Sequence, residues 1–184
     1  MDLKIIITGL GGHGIIFLTR LFAQTAISQG HEVLVSESHG MSQRGGSVSS
    51  HLKIGADQAP LIQRGTADLL LALDPDEAVR SLPFLRREGC VFVNASHSLR
   101  EEVRPPLDRL GIQVYHVEAN RLAMELGSLA VANVVLAGFV AAFPAGPFPV
   151  EDLQDTIKDR SPHGLEMNLA ALQAGLEAGQ DAAL

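Results

Sequence analysis

The sequence predicts a three-layer α/β fold built around a mostly parallel sheet. Short runs of β-branched and aliphatic residues alternate with longer segments of helical periodicity along the chain. Hydrophobic residues make up 46% of the 184 residues, which is enough for one buried core. We find no internal repeat and no low-complexity segment, so a single domain over residues 1–184 is expected.

The first half of the chain is expected to supply four strands and one long helix. Residues 47–54 alternate between apolar and polar side chains, which is typical of a half-exposed strand that is antiparallel or at an edge. The helix runs from about residue 12 to residue 29, and Gly30 suits the cap that ends it. The predicted strands, rich in β-branched or aliphatic residues, are residues 4–8, 32–36, 47–54 and 67–73.

The second half continues the alternation of strands and helices. Asp74 is a suitable N-cap, and Pro75 suits the first position of a helix that ends near Arg87. Buried strands are predicted at residues 90–94 and 112–117. Together with the first half, these elements predict a Rossmann-like three-layer fold with a mostly parallel sheet.

A long apolar helix is predicted over about residues 120–143. Its part from 126 to 143 has no formal charge, but Gly, Ala, Ser and Asn133 make it too weakly hydrophobic for a membrane span. A buried or subunit-interface helix is expected, with Asn133 hydrogen-bonded across the interface. A short helix after Pro149 and a last helix over about residues 164–178 complete the chain.

Charge and cysteine content exclude several classes of function. The net charge of −7 disfavours nucleic acid and anionic membranes as partners. Cys90 is the only cysteine, so the chain alone can form no intrachain disulfide and ligate no iron–sulfur cluster or polycysteine zinc site. Cys90 lies in a predicted core strand, which indicates packing rather than a nucleophile. The absence of a signal peptide predicts a cytoplasmic protein.

A glycine-rich turn follows the first strand and opens the first helix, the position at which helix N-termini bind phosphate. The possible ligand-binding residues in this turn are Gly9, Gly11, Gly12, His13 and Gly14. A dinucleotide site also needs an acidic residue at the tip of the second strand, and Glu37 is placed to serve. The alternative is that the glycines only permit a tight strand–helix turn.

A second polar segment, longer than an ordinary hairpin connection, joins the second and third strands. Arg44 offers a planar fork of donors for carboxylate or phosphate, and His39 can titrate near neutral pH. A solvated connection is the alternative to a functional loop. The candidate site residues in this polar loop are Glu37, His39, Gly40, Met41, Ser42, Gln43, Arg44, Gly45 and Gly46.

The remaining polar residues do not assemble into a complete active site. His51 is expected to be a surface or interface histidine, because no second ligand stands at metal spacing beside it. His97 has no evident companion in the sequence. We find no Ser-His-Asp arrangement, no P-loop and no metal cluster, so no catalytic residue is assigned to this chain and no metal is expected on it.

The glycine turn and residues 39–46, which read His-Gly-Met-Ser-Gln-Arg-Gly-Gly, resemble the γ-type domain of 2-oxoacid:ferredoxin oxidoreductases. Further matches lie at residues 59–62, 65–71, 133–136 and 168–175, so the resemblance covers nearly the whole chain. As a stand-alone subunit of this size, the chain is most similar to the β subunits of the indolepyruvate enzymes in this family.

The resemblance implies an accessory subunit that is inactive, or nearly so, without a large catalytic partner. That partner would carry thiamine diphosphate, Mg and iron–sulfur clusters, and would decarboxylate an arylpyruvate oxidatively to an acyl-CoA. Coenzyme A would be a substrate, ferredoxin the electron acceptor, and α2β2 the assembly. The polar loop would face the partner's active site, where Arg44 would hold a carboxylate or phosphate.

Other functions stay open at this point. The polar loop is shared by family members that act on pyruvate, branched-chain oxoacids or 2-oxoglutarate, so the resemblance does not fix the substrate. Outside the family, the glycine turn also suits a stand-alone nicotinamide-dependent reductase or a nucleotide-sensing module. These last two functions require the isolated chain to bind a nucleotide.

Overall fold

One mixed sheet forms the centre of the molecule, which is described by a computed structural model over residues 1–39, 45–55, 59–160 and 164–182. Within these ranges the sheet has six strands. They are β1 (Leu3–Leu10), β2 (Val33–His39), β3 (Ser47–Ile54), β4 (Ala67–Ala72), β5 (Leu85–Asn94) and β6 (Gln113–Val117). Their order across the sheet is β2-β3-β1-β4-β5-β6.

Helices cover both faces of this sheet. They are α1 (Ile15–Ser28), α2 (Pro75–Ser81), α3 (Arg104–Arg109), α4 (Ala119–Glu125), α5 (Ala132–Ala141), α6 (Val150–Arg160) and α7 (Leu165–Ala182). Short 3₁₀ turns lie at Leu82–Phe84, Glu101–Val103 and Leu129–Val131. No helix in the described ranges is long and apolar enough to cross a membrane.

The sheet is parallel except at β3. Strands β1, β4, β5 and β6 pair in parallel, whereas β3 runs antiparallel to both β1 and β2. The predicted fold class is confirmed, including an antiparallel strand after the polar loop. The β1–β3 register places Leu10 opposite Ser47 and Leu3 opposite Ile54.

Alternate side chains of the strands enter two separate hydrophobic clusters. Ile5 and Ile7 pack in the cluster shared with α1, α4, α5, α6 and α7, whereas Ile6 packs in the cluster with α2 and α3. The helix that follows β1 and the helix that follows β4 therefore lie on opposite faces. Because β1 and β4 are neighbours, the sheet has its topological switch point between them.

The prediction that β3 is half-exposed is wrong. His51 and Lys53, on the predicted polar face, are only 6% and 4% exposed. The backbone N–H of Ile62 donates to Nδ1 of His51 at 3.0 Å, and the ring of Phe84 meets the imidazole edge to face at 5.3 Å. A segment distant in sequence thus covers this face, and β3 lies inside the sheet with His51 buried.

The predicted end of the helix capped by Asp74 is also wrong. The helix capped by Asp74 ends at Ser81 rather than near Arg87, and Arg87 belongs to β5. A 3₁₀ turn containing Pro83 follows Ser81, because proline lacks the N–H that a continuing helix needs. Asp74 itself caps as predicted, and its Oδ1 accepts from the N–H groups of Asp76 and Glu77.

The predicted helix over residues 120–143 is interrupted. Gly127 has φ 97°, in the left-handed region, and Ser128 is extended with its Oγ accepting from the N–H of Ala130. The capping serine therefore starts a new helical segment, so that α4 and α5 are separate helices. The last predicted helix is present and extends beyond residue 178 to Ala182.

Helices α5 and α7 pack backbone against backbone. A Cβ on Gly138 would overlap the carbonyl oxygen of Leu172, and a Cβ on Gly175 would overlap that of Val135. Only glycine permits this distance between the two helices. The close approach keeps α5 against the sheet, where Phe139 packs edge to face against Phe92 of β5 at 6.2 Å.

Replacing Gly175 by alanine is expected to lower the free energy of unfolding by about 1–3 kcal/mol, because the added methyl group overpacks the α5–α7 contact. Helix propensity alone would raise it by about 0.5–1 kcal/mol. Urea unfolding of the purified chain measures the change. Gln173→Ala, at an exposed position of α7, should change stability by less than about 0.5 kcal/mol. Equal stability of Gly175→Ala and the wild type would contradict the packing role.

His51 is expected to make stability depend on pH. Burial, and secondarily the charge of Lys53, lower the pKa of His51 below its ordinary value of 6.5. The unfolded chain therefore binds a proton more readily, so that stability falls as the pH drops below 6.5 and is unaffected by His51 above it.

The measurement is urea unfolding from about pH 5 to about pH 8 for the wild type and His51→Gln. The glutamine variant removes the titration and should lose less stability on acidification, although it is less stable at neutral pH. Parallel stability curves for the two proteins would show that His51 contributes nothing to the acid sensitivity.

Candidate functional site

The two glycine-rich motifs predicted from the sequence meet in the structure. The N–H of Gly11 donates to the carbonyl oxygen of Gly46 at 2.9 Å. A Cβ on Gly11 would lie 3.4 Å from the backbone nitrogen of Gly45. We call this place, formed by residues 9–14 and 45–46, the glycine junction. Its two parts come together because β3 pairs with β1 up to Leu10 and Ser47.

The glycine turn holds a conformation that requires glycine at two positions. Gly12 and Gly14 have φ values of 99° and 80°. The His13 N–H donates to the Leu10 carbonyl oxygen at 3.1 Å, and the side chain of His13 is exposed. Among the described residues, apart from Gly12 itself and its two chain neighbours, no atom lies within 4 Å of the place a Cβ would take on Gly12. A ligand or a partner chain can therefore approach the backbone of this turn closely.

Asn133 fixes the turn from the opposite side. Its Nδ2 donates to the carbonyl oxygen of Gly14 at 3.1 Å, and its side chain occupies the space that a Cβ on Gly14 would need. Asn133 is 3% exposed, and its Oδ1 accepts from the N–H of Val134 at 2.9 Å. The interface predicted for this amide is thus a helix–turn interface within the chain.

Two side chains hold the start of β3 beside the junction. Ser47 donates from Oγ to Oε2 of Glu77 at 2.5 Å, and Thr8 donates from Oγ1 to the carbonyl oxygen of Val48 at 3.2 Å. Glu77 lies in the first turn of α2 and is 2% exposed. Sequence reasoning missed Glu77, because a glutamate in a first helical turn ordinarily indicates only compensation of the helix dipole.

The geometry disfavours a dinucleotide site. Glu37 pairs with Ser50, which pairs with Ile7, so that β3 separates Glu37 from β1. Two strand spacings put Glu37 about 9–10 Å from β1, whereas a dinucleotide fold has the acidic strand next to β1. The N–H of Gly11 is also engaged by the Gly46 carbonyl oxygen rather than directed at a phosphate site.

Part of the predicted polar loop lies outside the described residues. These are Gly40, Met41, Ser42, Gln43 and Arg44. The backbone of His39 ends β2 opposite Val48, and Glu37 is exposed on the same strand. Both described ends of the loop therefore lie at the same end of the strands as the glycine junction, near the carboxyl end of β1.

A groove of about 590 Å³ opens at the carboxyl ends of β4 and β5, beside the junction. Residues 73–76 and 94–100 line it, together with His13 from the glycine turn and Asn120 from α4. The groove lies at the topological switch point between β1 and β4, which is where open α/β sheets commonly bind ligands. It was not predicted from the sequence.

Hydrogen bonds fix the polar floor of this groove. Asn94 donates from Nδ2 to the Leu73 carbonyl oxygen at 3.2 Å and to Oδ1 of Asn120 at 3.0 Å. The hydroxyl of Ser96 lies 2.7 Å from Nδ1 of His97, so this histidine has a companion that sequence reasoning did not find. The available signal was a polar residue at the carboxyl end of each of two successive parallel strands: Asp74, two residues beyond β4, and Asn94, the last residue of β5.

The described residues bring together few side chains of the kinds that ligate metals or iron–sulfur clusters. Within the described ranges, no group of three or more His, Cys, Asp or Glu could hold a metal ion. Iron–sulfur clusters need several thiolates, and Cys90 is the only cysteine. Cys90 is 7% exposed and burial raises its pKa, which agrees with the predicted packing role.

Known proteins match this chain over almost its full length. A family model described as pyruvate ferredoxin/flavodoxin oxidoreductase matches residues 4–178. Indolepyruvate oxidoreductase subunit IorB of Archaeoglobus fulgidus is 33% identical over 189 aligned residues, covering 95% of this chain and 94% of that protein.

Two solved structures share the fold. The γ subunit of a keto/oxoacid ferredoxin oxidoreductase from Geobacter sulfurreducens PCA has a TM-score of 0.72 at 25% identity, covering 97% of this chain and 99% of its own. The 2-oxoglutarate:ferredoxin oxidoreductase from Magnetococcus marinus, with 2-oxoglutarate, coenzyme A and succinyl-CoA bound, has a TM-score of 0.77 at 19% identity. That match covers 98% of this chain and 31% of the other, and it concerns the fold alone.

The resemblance seen in residues 39–46 and the glycine turn is therefore confirmed along nearly the whole sequence. The chain belongs to the pyruvate ferredoxin/flavodoxin oxidoreductase family.

Proposed function

We propose that this chain is the accessory subunit of a thiamine-diphosphate-dependent indolepyruvate:ferredoxin oxidoreductase. The observation that carries the proposal is the 33% identity to an indolepyruvate oxidoreductase subunit over nearly the full length of both proteins. The reaction is oxidative decarboxylation of an arylpyruvate to an acyl-CoA, with the electrons passing to ferredoxin. Thiamine diphosphate, Mg and iron–sulfur clusters on a large partner subunit would supply the decarboxylation and electron-transfer chemistry.

The role of this chain is to complete the partner's active site with a shaped backbone surface. The glycine junction allows close approach at Gly12, and the exposed side chain of His13 lies beside it. The adjoining polar loop supplies Arg44, whose guanidinium suits the carboxylate of a 2-oxoacid or a phosphate of coenzyme A. In this arrangement the chain binds and orients reactants and excludes water, while the partner carries the reacting cofactor.

The choice of indolepyruvate as the substrate rests on the similarity to the Archaeoglobus fulgidus subunit, and not on the shape of a substrate pocket. The matching family model is named for pyruvate, so a pyruvate, branched-chain oxoacid or 2-oxoglutarate enzyme is the alternative within the family. A stand-alone reductase or nucleotide-sensing module is disfavoured by the position of Glu37 and by the engaged N–H of Gly11. A cytoplasmic location and an α2β2 assembly belong to the same proposal.

Anaerobic purification of the tagged chain from its native cells is expected to recover one large, cysteine-rich polypeptide with iron and thiamine diphosphate. In the presence of coenzyme A, the reconstituted complex should reduce ferredoxin faster with indolepyruvate than with pyruvate, a branched-chain oxoacid or 2-oxoglutarate. The isolated chain serves as the control and should show no turnover. A chain that emerges alone, or that binds a nicotinamide nucleotide tightly by itself, would overturn the proposal.

Arg44→Ala is expected to raise the KM of the complex for coenzyme A or for the 2-oxoacid by about 10–100-fold, since it removes a charge-assisted hydrogen-bond donor. Arg44→Lys should raise the KM by a smaller factor, because lysine keeps the positive charge but lacks the planar fork of donors. Steady-state kinetics of the assembled complex measure both. Arg87→Ala, at an exposed position near the amino end of β5, is the matched control and should leave KM unchanged. Equal KM values for Arg44→Ala and the wild type would remove Arg44 from the binding site.

A further inference from the structure

Glu77 is a buried carboxylate on α2. It is 2% exposed, in a helix whose neighbouring residue Ala78 packs in the hydrophobic cluster between α2 and the sheet. A carboxylate is rarely buried unless its oxygens find hydrogen-bond partners or opposite charges. The partners of the two oxygens therefore indicate why a carboxylate stands here.

The carboxylate is not the cap of α2. Asp74 already accepts from the backbone N–H groups of Asp76 and Glu77 at 2.9 and 3.1 Å. One oxygen of Glu77 accepts from Nη1 of Arg80 at 2.8 Å, but the Arg80 side chain is 69% exposed. An exposed cation one helical turn away compensates the charge, yet it would not by itself draw the carboxylate into the interior.

The other oxygen points out of α2 towards β3. Its Oε2 accepts from the hydroxyl of Ser47 at 2.5 Å, a short charge-assisted hydrogen bond between residues far apart in sequence. Ser47 is the first residue of β3 and directly follows Gly46, whose carbonyl oxygen accepts from the Gly11 N–H. The Ser47–Glu77 bond thus ties the glycine junction to α2.

We propose that Glu77 is a positioning residue that holds the glycine junction in place through the hydroxyl of Ser47. The junction is also held by the Gly11–Gly46 and Thr8–Val48 hydrogen bonds within the sheet, and on its glycine-turn side by the Asn133–Gly14 hydrogen bond from α5. Glu77 adds a fixed point from α2 on the β3 side of the junction, and that point lies at the first residue after the polar loop. The consequence for turnover rests on the proposed function, whereas the positioning itself does not.

Amide hydrogen exchange of the purified chain tests the positioning directly. Ser47→Ala and Glu77→Ala should each speed exchange of the Gly11 amide and of the amides of residues 45–48 by about tenfold or more, because the junction opens locally more often. Ser47→Thr keeps the hydroxyl, and Glu77→Gln keeps an oxygen that can accept from it, so both should retain most of the protection.

Two controls separate this effect from general destabilisation. Glu151→Ala removes an exposed glutamate from the first turn of another helix, α6, and should leave exchange at the junction unchanged. The double variant Ser47→Ala/Glu77→Ala should exchange its junction amides no faster than Glu77→Ala alone, because the two changes break the same hydrogen bond. Unchanged exchange at residues 45–48 in both single alanine variants would overturn the proposal.

Kinetics of the assembled complex test the consequence. Ser47→Ala and Glu77→Ala should lower kcat/KM per assembled complex by about tenfold or more, since a small displacement of positioning groups slows the reaction strongly. Affinity for the partner subunit should change by less than about twofold, and Ser47→Thr should restore turnover. A merely structural role would instead lower the melting temperature and the yield of complex, with normal kcat/KM in what assembles.

The two sets of outcomes are distinguishable. Absence of 2-oxoacid turnover in the wild-type complex would sink the proposed function, and hydrogen exchange would still decide whether Glu77 positions the junction. Altered exchange with normal kcat/KM would show that the position of the junction does not matter for turnover, and would overturn the link to the reaction. Altered exchange with reduced kcat/KM, rescued by Ser47→Thr, is the expected result.

Discussion

The antiparallel insertion of β3 between β2 and β1 is the constraint on which the rest of the site depends. It places Ser47 opposite Leu10, so the Gly46 carbonyl oxygen can accept from the N–H of Gly11. A slip of one residue would turn every β3 side chain to the other face of the sheet. Ser47 would then point away from Glu77, and His51 would leave its buried partners. One register therefore sets the glycine junction, the α2 contact and the core together.

The same insertion separates this site from a dinucleotide site that shares its glycine pattern. With β3 between them, β1 and β2 cannot hold the two ends of one dinucleotide, and Glu37 lies level with Ile7, two strands away. The chain offers an open backbone turn, an exposed His13 and a polar groove on one edge of the sheet, with one buried cysteine. Such a surface differs from a dinucleotide site, in which the acidic strand lies next to the strand that carries the glycine turn.

Most of the fold could be predicted from the sequence, and so could the two motifs of the site. Continuous aliphatic runs predicted the buried strands. The glycine turn could be recognised because it lies between a predicted strand and a predicted helix. The break at Gly127 was missed because apolar composition continues across it, while a left-handed glycine and a capping serine decide the local structure. The groove was missed because Asp74, Asn94 and Asn120 become neighbours only through parallel strand pairing.

The misinterpretation of β3 has a general physical origin. Alternation of polar and apolar residues indicates that one face of a strand is polar, but it does not say whether water or protein satisfies that face. Here the hydroxyl of Ser47 donates to the carboxylate of Glu77. The imidazole of His51 accepts from the Ile62 N–H and packs against the Phe84 ring. Buried polar groups need such partners, and the partners come from segments that local patterns cannot connect. A polar face flanked by a glycine-rich motif is therefore as consistent with an internally bonded site as with a solvent-exposed edge.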